Sequence, residues 1–338
     1  MCIRFLAAFV IGVHFAPVSH AFGQITDTTK SDVRTAATSG DVTLLESLLK
    51  AHPTILNIDV GAGRTLLYHA AAQGHTDVVT LLLSKGAKAQ IWDDKNVPLL
   101  YNVCRHSTHS AEIAELLLEH GAFVDTPNPQ GRSPLYVAAM RGKGKLVKLL
   151  LERNANVNVK STPGGRKRLI HEILARSYGI DKDRPVYEGV LDALLAHKPD
   201  LSGCLQIPIR RNLTDVASRL LKGGADVEEE LSEEDRRKRR SQTPRQASFA
   251  GNRPLHRAVE FDRLKIVKLL LKHGAKVNRR NDRSRTPLHT AAELGRTSAA
   301  QLLIKAGADA KAIDHRGRTP LDLARRKNHP EVVKLLAP

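Results

Sequence analysis

The sequence predicts an all-α solenoid: about nine helix-turn-helix repeats joined by polar, β-hairpin-like fingers. Three observations carry this. A short motif recurs in register, with Arg253-Pro254-Leu255-His256, Thr286-Pro287-Leu288-His289 and Thr319-Pro320-Leu321-Asp322 starting 33 residues apart. Glycine recurs nine residues after the motif start, at Gly74, Gly142 and Gly295, and Gly40 holds the same place in the first unit. The composition is 41% hydrophobic but only 4% aromatic, with the load on Leu, Ala and Val. That mixture suits small, close-packed helices and disfavours a large aromatic-cored enzyme or sandwich.

Residues 1–23 read as a signal peptide. Arg4 precedes an apolar run from Phe5 to Ala16, Pro17 breaks it, and Ser19-His20-Ala21 offers small residues for cleavage. About 12 apolar residues fall short of the ~20 that span a bilayer. The mature chain is therefore expected to be exported, periplasmic or extracellular, with no membrane span; it is cytoplasmic if this segment is not a signal peptide.

Each motif position has a physical reason. Thr or Ser accepts a bond from a free N–H at the helix start. Pro follows, where no N–H donor is needed. Leu and Ala face the neighbouring helices. Glycine ends the first helix in a left-handed conformation. The second helix shows apolar spacing, as in Ile266, Val267, Leu269, Leu270 and Leu271. It stops at Gly-Ala, for example Gly274-Ala275, and a polar finger such as Val277 to Asp282 follows. Upstream, Thr65-Leu66-Leu67-Tyr68, Val97-Pro98-Leu99-Leu100, Ser133-Pro134-Leu135-Tyr136 and Arg168-Leu169-Ile170-His171 continue the series.

These residues resemble the ankyrin-repeat family, whose period is 33 and whose first helix opens on T-P-L-H-x-A. The resemblance runs from Ser31 to Pro338. It divides the chain into repeats 1–6 over 31–227, a charged flexible insertion over 228–250, and repeats 7–9 with a C-terminal cap over 251–338. Repeats 5 and 6 are degenerate: the fifth has a longer inter-helix loop near Tyr178 to Tyr187, and the sixth has Pro208 within its first helix. The stack is expected to bend or loosen there. The family's histidines make structural hydrogen bonds, which is the role implied for His69, His75, His256 and His289. The family also binds partners on a concave surface of fingers and first helices.

Catalytic motifs are incomplete. His171-Glu172-Ile173-Leu174-Ala175 lacks the second histidine of a zinc site, and Gly61-Ala62-Gly63-Arg64-Thr65-Leu66 lacks the third glycine of a phosphate loop. No enzyme activity, metal or cofactor is expected. Cys104 and Cys204 fall three units apart, too far for the ~7 Å that a disulfide spans, so both are expected as free thiols. Within the insertion, six acids from Glu228 precede the basic run Arg236 to Arg240, a solvated linker of partly self-neutralising charge.

The net charge is +18, and residues 251–338 hold 20 Lys+Arg against 8 Asp+Glu. Two thirds of the excess therefore sits in the last three repeats. Arg279, Arg280, Arg283 and Arg285 share one finger, and Arg316 and Arg318 share the next. By the family analogy Arg257, Glu260, Phe261, Glu293, Leu294 and Arg325 join them. The reading is a monomeric, non-catalytic scaffold that binds a partner protein, acidic if capture is electrostatic. The alternative is polyanion or nucleic-acid binding through the same basic repeats; few aromatic residues are available for base stacking.

Overall fold

Caps and left-handed residues set the helix boundaries. Thr65, Ser133, Thr286 and Thr319 each accept a bond from the backbone N–H three residues on, at 3.1 to 3.5 Å. In the last two the bond is reciprocated, from the Thr286 and Thr319 amides to His289 and Asp322. The first helices then meet a residue of positive φ: Gly40, Gly74, Gly142 and Gly295, with Asn212, Asp262 and Asn328 in the same role. Two of these positions require glycine for space as well. A Cβ at Gly40 would lie 2.6 Å from His75 Nδ1, and one at Gly295 would lie 2.6 Å from His329 Nδ1.

A computed structural model describes residues 25–107, 109–160, 168–177, 184–230 and 251–337. The segment 1–23 read as a signal peptide, residues 178–183 of the expected fifth-unit loop, and 231–250 of the expected insertion lie outside the described residues. Among the described residues there are 18 α-helices in nine pairs. The first three pairs are α1 (Asp27–Ser39) with α2 (Val42–Ala51), α3 (Leu66–Gln73) with α4 (Thr76–Ser84), and α5 (Leu99–His106) with α6 (Ser110–Glu119). The next three are α7 (Pro134–Met140) with α8 (Gly144–Glu152), α9 (Leu169–Ser177) with α10 (Arg184–Ala196), and α11 (Gln206–Arg211) with α12 (Thr214–Lys222). The last three are α13 (Pro254–Glu260) with α14 (Leu264–Lys272), α15 (Pro287–Leu294) with α16 (Thr297–Lys305), and α17 (Pro320–Arg326) with α18 (Pro330–Leu336). None is long and apolar enough to cross a membrane.

Three local details differ from the sequence reading. Helix α1 begins upstream of Ser31 because Thr26 supplies a side-chain cap. In the third unit Pro98 is itself the N-cap, so the motif shifts by one residue and Tyr101 takes the fourth position. In the sixth unit Pro208 lies in the first turn of α11, where the missing N–H breaks no helical bond. Among the described residues the fingers form no extended ladder, only the isolated bridges Trp92–Pro98 and Lys160–Arg168.

Apolar faces bury one against the next, but the core divides at the fifth unit. One cluster runs from Val33 to Leu194 and takes Leu169 and Ile173 of α9. The second starts with Ile170 and Leu174 of the same helix and extends to Leu303. Ala292, Leu323, Ala324 and Val332 close the last unit. The fifth and sixth units meet within the second cluster, where Ile170, Leu174 and Leu191 are buried with Cys204, Leu205 and Leu220. Cys104 and Cys204 are both buried, unpaired thiols, pushed up to about 12 by burial.

A ladder of side chains ties finger to finger. Asn57 accepts from the Lys88 amide at 2.9 Å, Gln90 from Phe123 at 2.7 Å, Asp125 from Asn156 at 3.1 Å, and Asn158 from Asp200 at 2.8 Å. Glu228, at the start of the insertion, accepts from Lys276 across it, and Asn278 accepts from Asp309, both at 2.8 Å. The equivalent residue between these runs is Ser202. Its hydroxyl is too short to reach the next finger and donates to Asp200 at 2.6 Å. The core division and the missing rung thus fall at neighbouring units, where the degenerate repeats lie.

Candidate functional site

The fingers before the eighth and ninth units are built alike. Asn281 Oδ1 accepts from the amides of Arg283 and Arg285 at 2.9 and 3.1 Å. Asp314 Oδ1 accepts from those of Arg316 and Arg318 at 2.8 and 3.1 Å. A backbone bond of 2.9 Å closes each loop, from Asn281 to Arg285 and from Asp314 to Arg318. Arg283 and Arg316 therefore hold equivalent places on adjacent fingers.

These fingers and the ends of α15 and α17 enclose a groove of about 580 Å³. Arg283, Arg285, Glu293, Leu294, Arg316, Arg318, Leu323, Arg326, Lys327 and His329 line it. Asp314, with its side chain 0% exposed, anchors the arginines at the base. Its Oδ2 accepts from Arg285 Nε at 3.4 Å and Arg318 Nη2 at 2.7 Å. Arg285 also donates to Glu293 at 2.7 Å. Burial raises the Asp314 carboxyl, but the Arg318 guanidinium and the Arg316 and Arg318 amides outweigh it and hold it well below the usual carboxylate range. Two arginines and two acids thus cancel.

The rest of the charge is uncompensated. Arg283, Arg316, Arg326 and Lys327 make no ion pair with any described acid. Two reach the groove from the fingers and two from the end of α17. Histidines fix the backbone beneath them. His256 Nε2 donates to the Arg285 carbonyl at 2.9 Å, and His289 Nε2 to that of Arg318 at 3.1 Å. Both are fully buried; burial lowers His256 to about 4 and lowers His289 as well. They are neutral structural donors. From the inter-helix turns His75 Nε2 donates to the Thr38 carbonyl at 2.7 Å and His329 Nε2 to the Glu293 carbonyl at 3.1 Å.

The structure brings together Arg283, Arg285, Glu293, Leu294, Arg316 and Arg318 from the sequence-selected set. Arg257 and Arg285 are buried, unlike the exposed residues that the concave surface was expected to present. Arg257 lies over the ring of half-buried Phe261, 5.6 Å from its centre. Arg279 pairs with Glu228 at 3.5 Å, and Arg280 donates to the Ile313 carbonyl at 3.0 Å. Arg325 is exposed but does not line the groove. Asp314, Arg326, Lys327 and His329 escaped the sequence reading. The available signal for Asp314 was Asn or Asp at the start of four fingers, three residues before a left-handed residue: Asp93 before Asn96, Asn128 before Gly131, Asn281 before Ser284, and Asp314 before Gly317.

The family model for ankyrin repeats (three copies) matches residues 33–122, 93–161, 186–281 and 255–338. The chain belongs to the ankyrin-repeat family. The ankyrin repeat and KH domain-containing protein mask-1 of Caenorhabditis elegans is 27% identical over 253 residues, 72% of this chain and 8% of that protein. The probable E3 ubiquitin-protein ligase XBOS33 of Oryza sativa subsp. japonica is 35% identical over 117 residues, 34% of this chain and 22% of the ligase. The phosphocholine transferase AnkX of Legionella pneumophila is 27% identical over 176 residues, 50% of this chain and 18% of the transferase. The alignments thus cover under a quarter of each of these relatives, and what this ankyrin-repeat protein shares with them is the repeat array.

Proposed function

We propose that this ankyrin-repeat protein is a non-catalytic scaffold that holds a partner protein on its concave face, with repeats 7–9 as the principal contact. Ankyrin repeats generally mediate protein–protein interaction. The observation that carries the finer reading is the groove of repeats 8 and 9, where four cations remain after the base arginines are neutralised. Local charge of one sign in a recess concentrates the field and speeds capture of a complementary partner. The apolar run from Phe5 to Ala16 and the small residues Ser19 and Ala21 support export of the mature chain.

A photo-crosslinking residue at Arg325, beside the groove, and another at Lys148, on α8, test the scaffold reading in the native compartment. Protein adducts are expected from Arg325 and not from Lys148. Adducts from Lys148 alone would place the partner elsewhere and sink the reading. Amino-terminal sequencing tests export: Phe22 or Gln24 is expected as the first residue, and an intact Met1 would refute it.

A further inference from the structure

We infer that the groove of repeats 8 and 9 takes an acidic polypeptide segment whose carboxylates bridge the two fingers and the end of α17. This deepens the scaffold reading and rests on it. Arg283 and Arg316 reach the recess from adjacent fingers, and Arg326 and Lys327 from the helix side, so an anion inside meets cations from both directions. None of the four has an acidic partner among the described residues, so none must break a bond to receive one. The base is rigid: the Arg285–Asp314 and Arg318–Asp314 pairs hold the fingers in place before any ligand arrives.

The lining chooses among anions. It contains no Phe, Tyr or Trp, so bases of a nucleic acid find no stacking platform. Half-buried Leu294 instead presents a small apolar surface among the cations, which suits an aliphatic side chain set among carboxylates. Arginine forks pair carboxylates bidentately and give such a segment a defined register. A chain of acidic residues with an interspersed leucine fits both features; a uniformly charged polyanion fits only one.

The test is fluorescence anisotropy on the full chain with two labelled probes of equal charge: an eight-residue Glu-rich peptide holding one central Leu, and an oligothymidylate. Binding of the peptide at low salt is expected. Arg283→Glu with Arg316→Glu should weaken it by about tenfold or more, and Arg326→Glu with Lys327→Glu by a similar factor. Lys145→Glu with Lys272→Glu makes the same charge change on α8 and α14 and should change it less than about twofold. Lys143 is unsuitable as a control because its Nζ donates to the Ser107 carbonyl and Ser110 Oγ. Thermal melts establish that each variant is folded. Equal losses from groove and control variants would overturn the site. Tighter binding of oligothymidylate through the same arginines would overturn the choice of partner. Absence of peptide binding would overturn both, while concave-face adducts at Arg325 would leave the scaffold reading standing.

Discussion

The two halves of the stack solve one problem in two ways. In the second repeat Arg64 reaches Asp93 of the next finger at 3.3 Å, and in the eighth Arg285 reaches Asp314 at 3.4 Å; both pairs are 29 residues apart. Around Asp93 the remaining partners are neutral: Tyr68 donates at 3.2 Å, Asn102 donates to Tyr68 at 2.9 Å, and Arg64 stacks on the Tyr68 ring. Around Asp314 the neighbours are Arg318, Glu293 and the groove cations. Arg64 is 35% exposed, whereas Arg285 is 3% exposed. The same link is thus half-hydrated in one half and dry in the other. A repeat position can keep its geometry while its surroundings decide whether it closes the surface or underlies a charged recess.

The largest expected effect comes from removing that charge in each half. Asp314→Asn keeps the amide-accepting oxygen, as Asn281 shows, but leaves Arg285 and Arg318 without their shared carboxylate. Breaking a buried pair from one side costs about 3 kcal/mol. Asp93→Asn leaves Arg64 partly hydrated and should cost only about 1 kcal/mol. Denaturant unfolding of both variants measures the difference. Equal losses would show that burial does not separate the two links.

Helix starts were legible because capping is local chemistry: Thr286 and Thr319 carry their partners three residues away. The weakness of repeats 5 and 6 was legible from their missing motif residues. Asp314 was not, because its function depends on Arg285, which is 29 residues distant in sequence and close only after stacking. The burial of Arg257 was hidden for the same reason: charge in a sequence marks a candidate surface, and packing decides whether it reaches water. The register of the third repeat was misread because Pro serves at both the N-cap and the next position, and only the backbone distinguishes them.

A second contrast is in acid response. The fourth motif position is His256 and His289 in the seventh and eighth repeats and Tyr68 and Tyr136 in the second and fourth. Burial holds His256 at about 4, below the ~6.5 of an unfolded chain. Between those values the unfolded state binds more protons, so the contribution is present above about pH 6.5 and is lost as pH falls toward 4. At pH 5 the seventh repeat should lose about 2 kcal/mol. Tyr136 is raised to about 12, by burial first, and does not titrate there. Half-buried His69 pulls the second repeat in the same direction as His256, so the clean comparison is α13 against α7. Amide exchange at pH 7 and pH 5, corrected for intrinsic rates, should show protection falling in α13 and holding in α7. Parallel loss in both helices would assign the acid response elsewhere.

The smallest effect tests the join between the halves. Ser202 stands where Asn57, Gln90, Asp125, Asn158, Glu228 and Asn278 carry the finger ladder. Ser202→Asn supplies a longer acceptor toward the Asp226 amide while leaving the Ser202 carbonyl to accept from His171. A new bond at this exposed site is worth about 0.5–1 kcal/mol net, less what the lost hydroxyl bond to Asp200 contributed. The sign is the informative part. Stability of a repeat array is a sum of unit terms and neighbour interfaces, so strengthening the interface that lacks a rung should sharpen the unfolding transition more than it raises its midpoint. Slower exchange of the Asp226 amide and a steeper denaturant transition are expected. For comparison, Asn278→Ala removes a native rung within the C-terminal half and should cost about 1 kcal/mol without changing the steepness. If Ser202→Asn protects Asp226 but leaves the transition as broad as before, the finger ladder is not what couples the halves. The coupling would then rest on Arg219, which reaches back from α12 to the Glu188 carbonyl at 3.0 Å and to the Asp192 carboxylate.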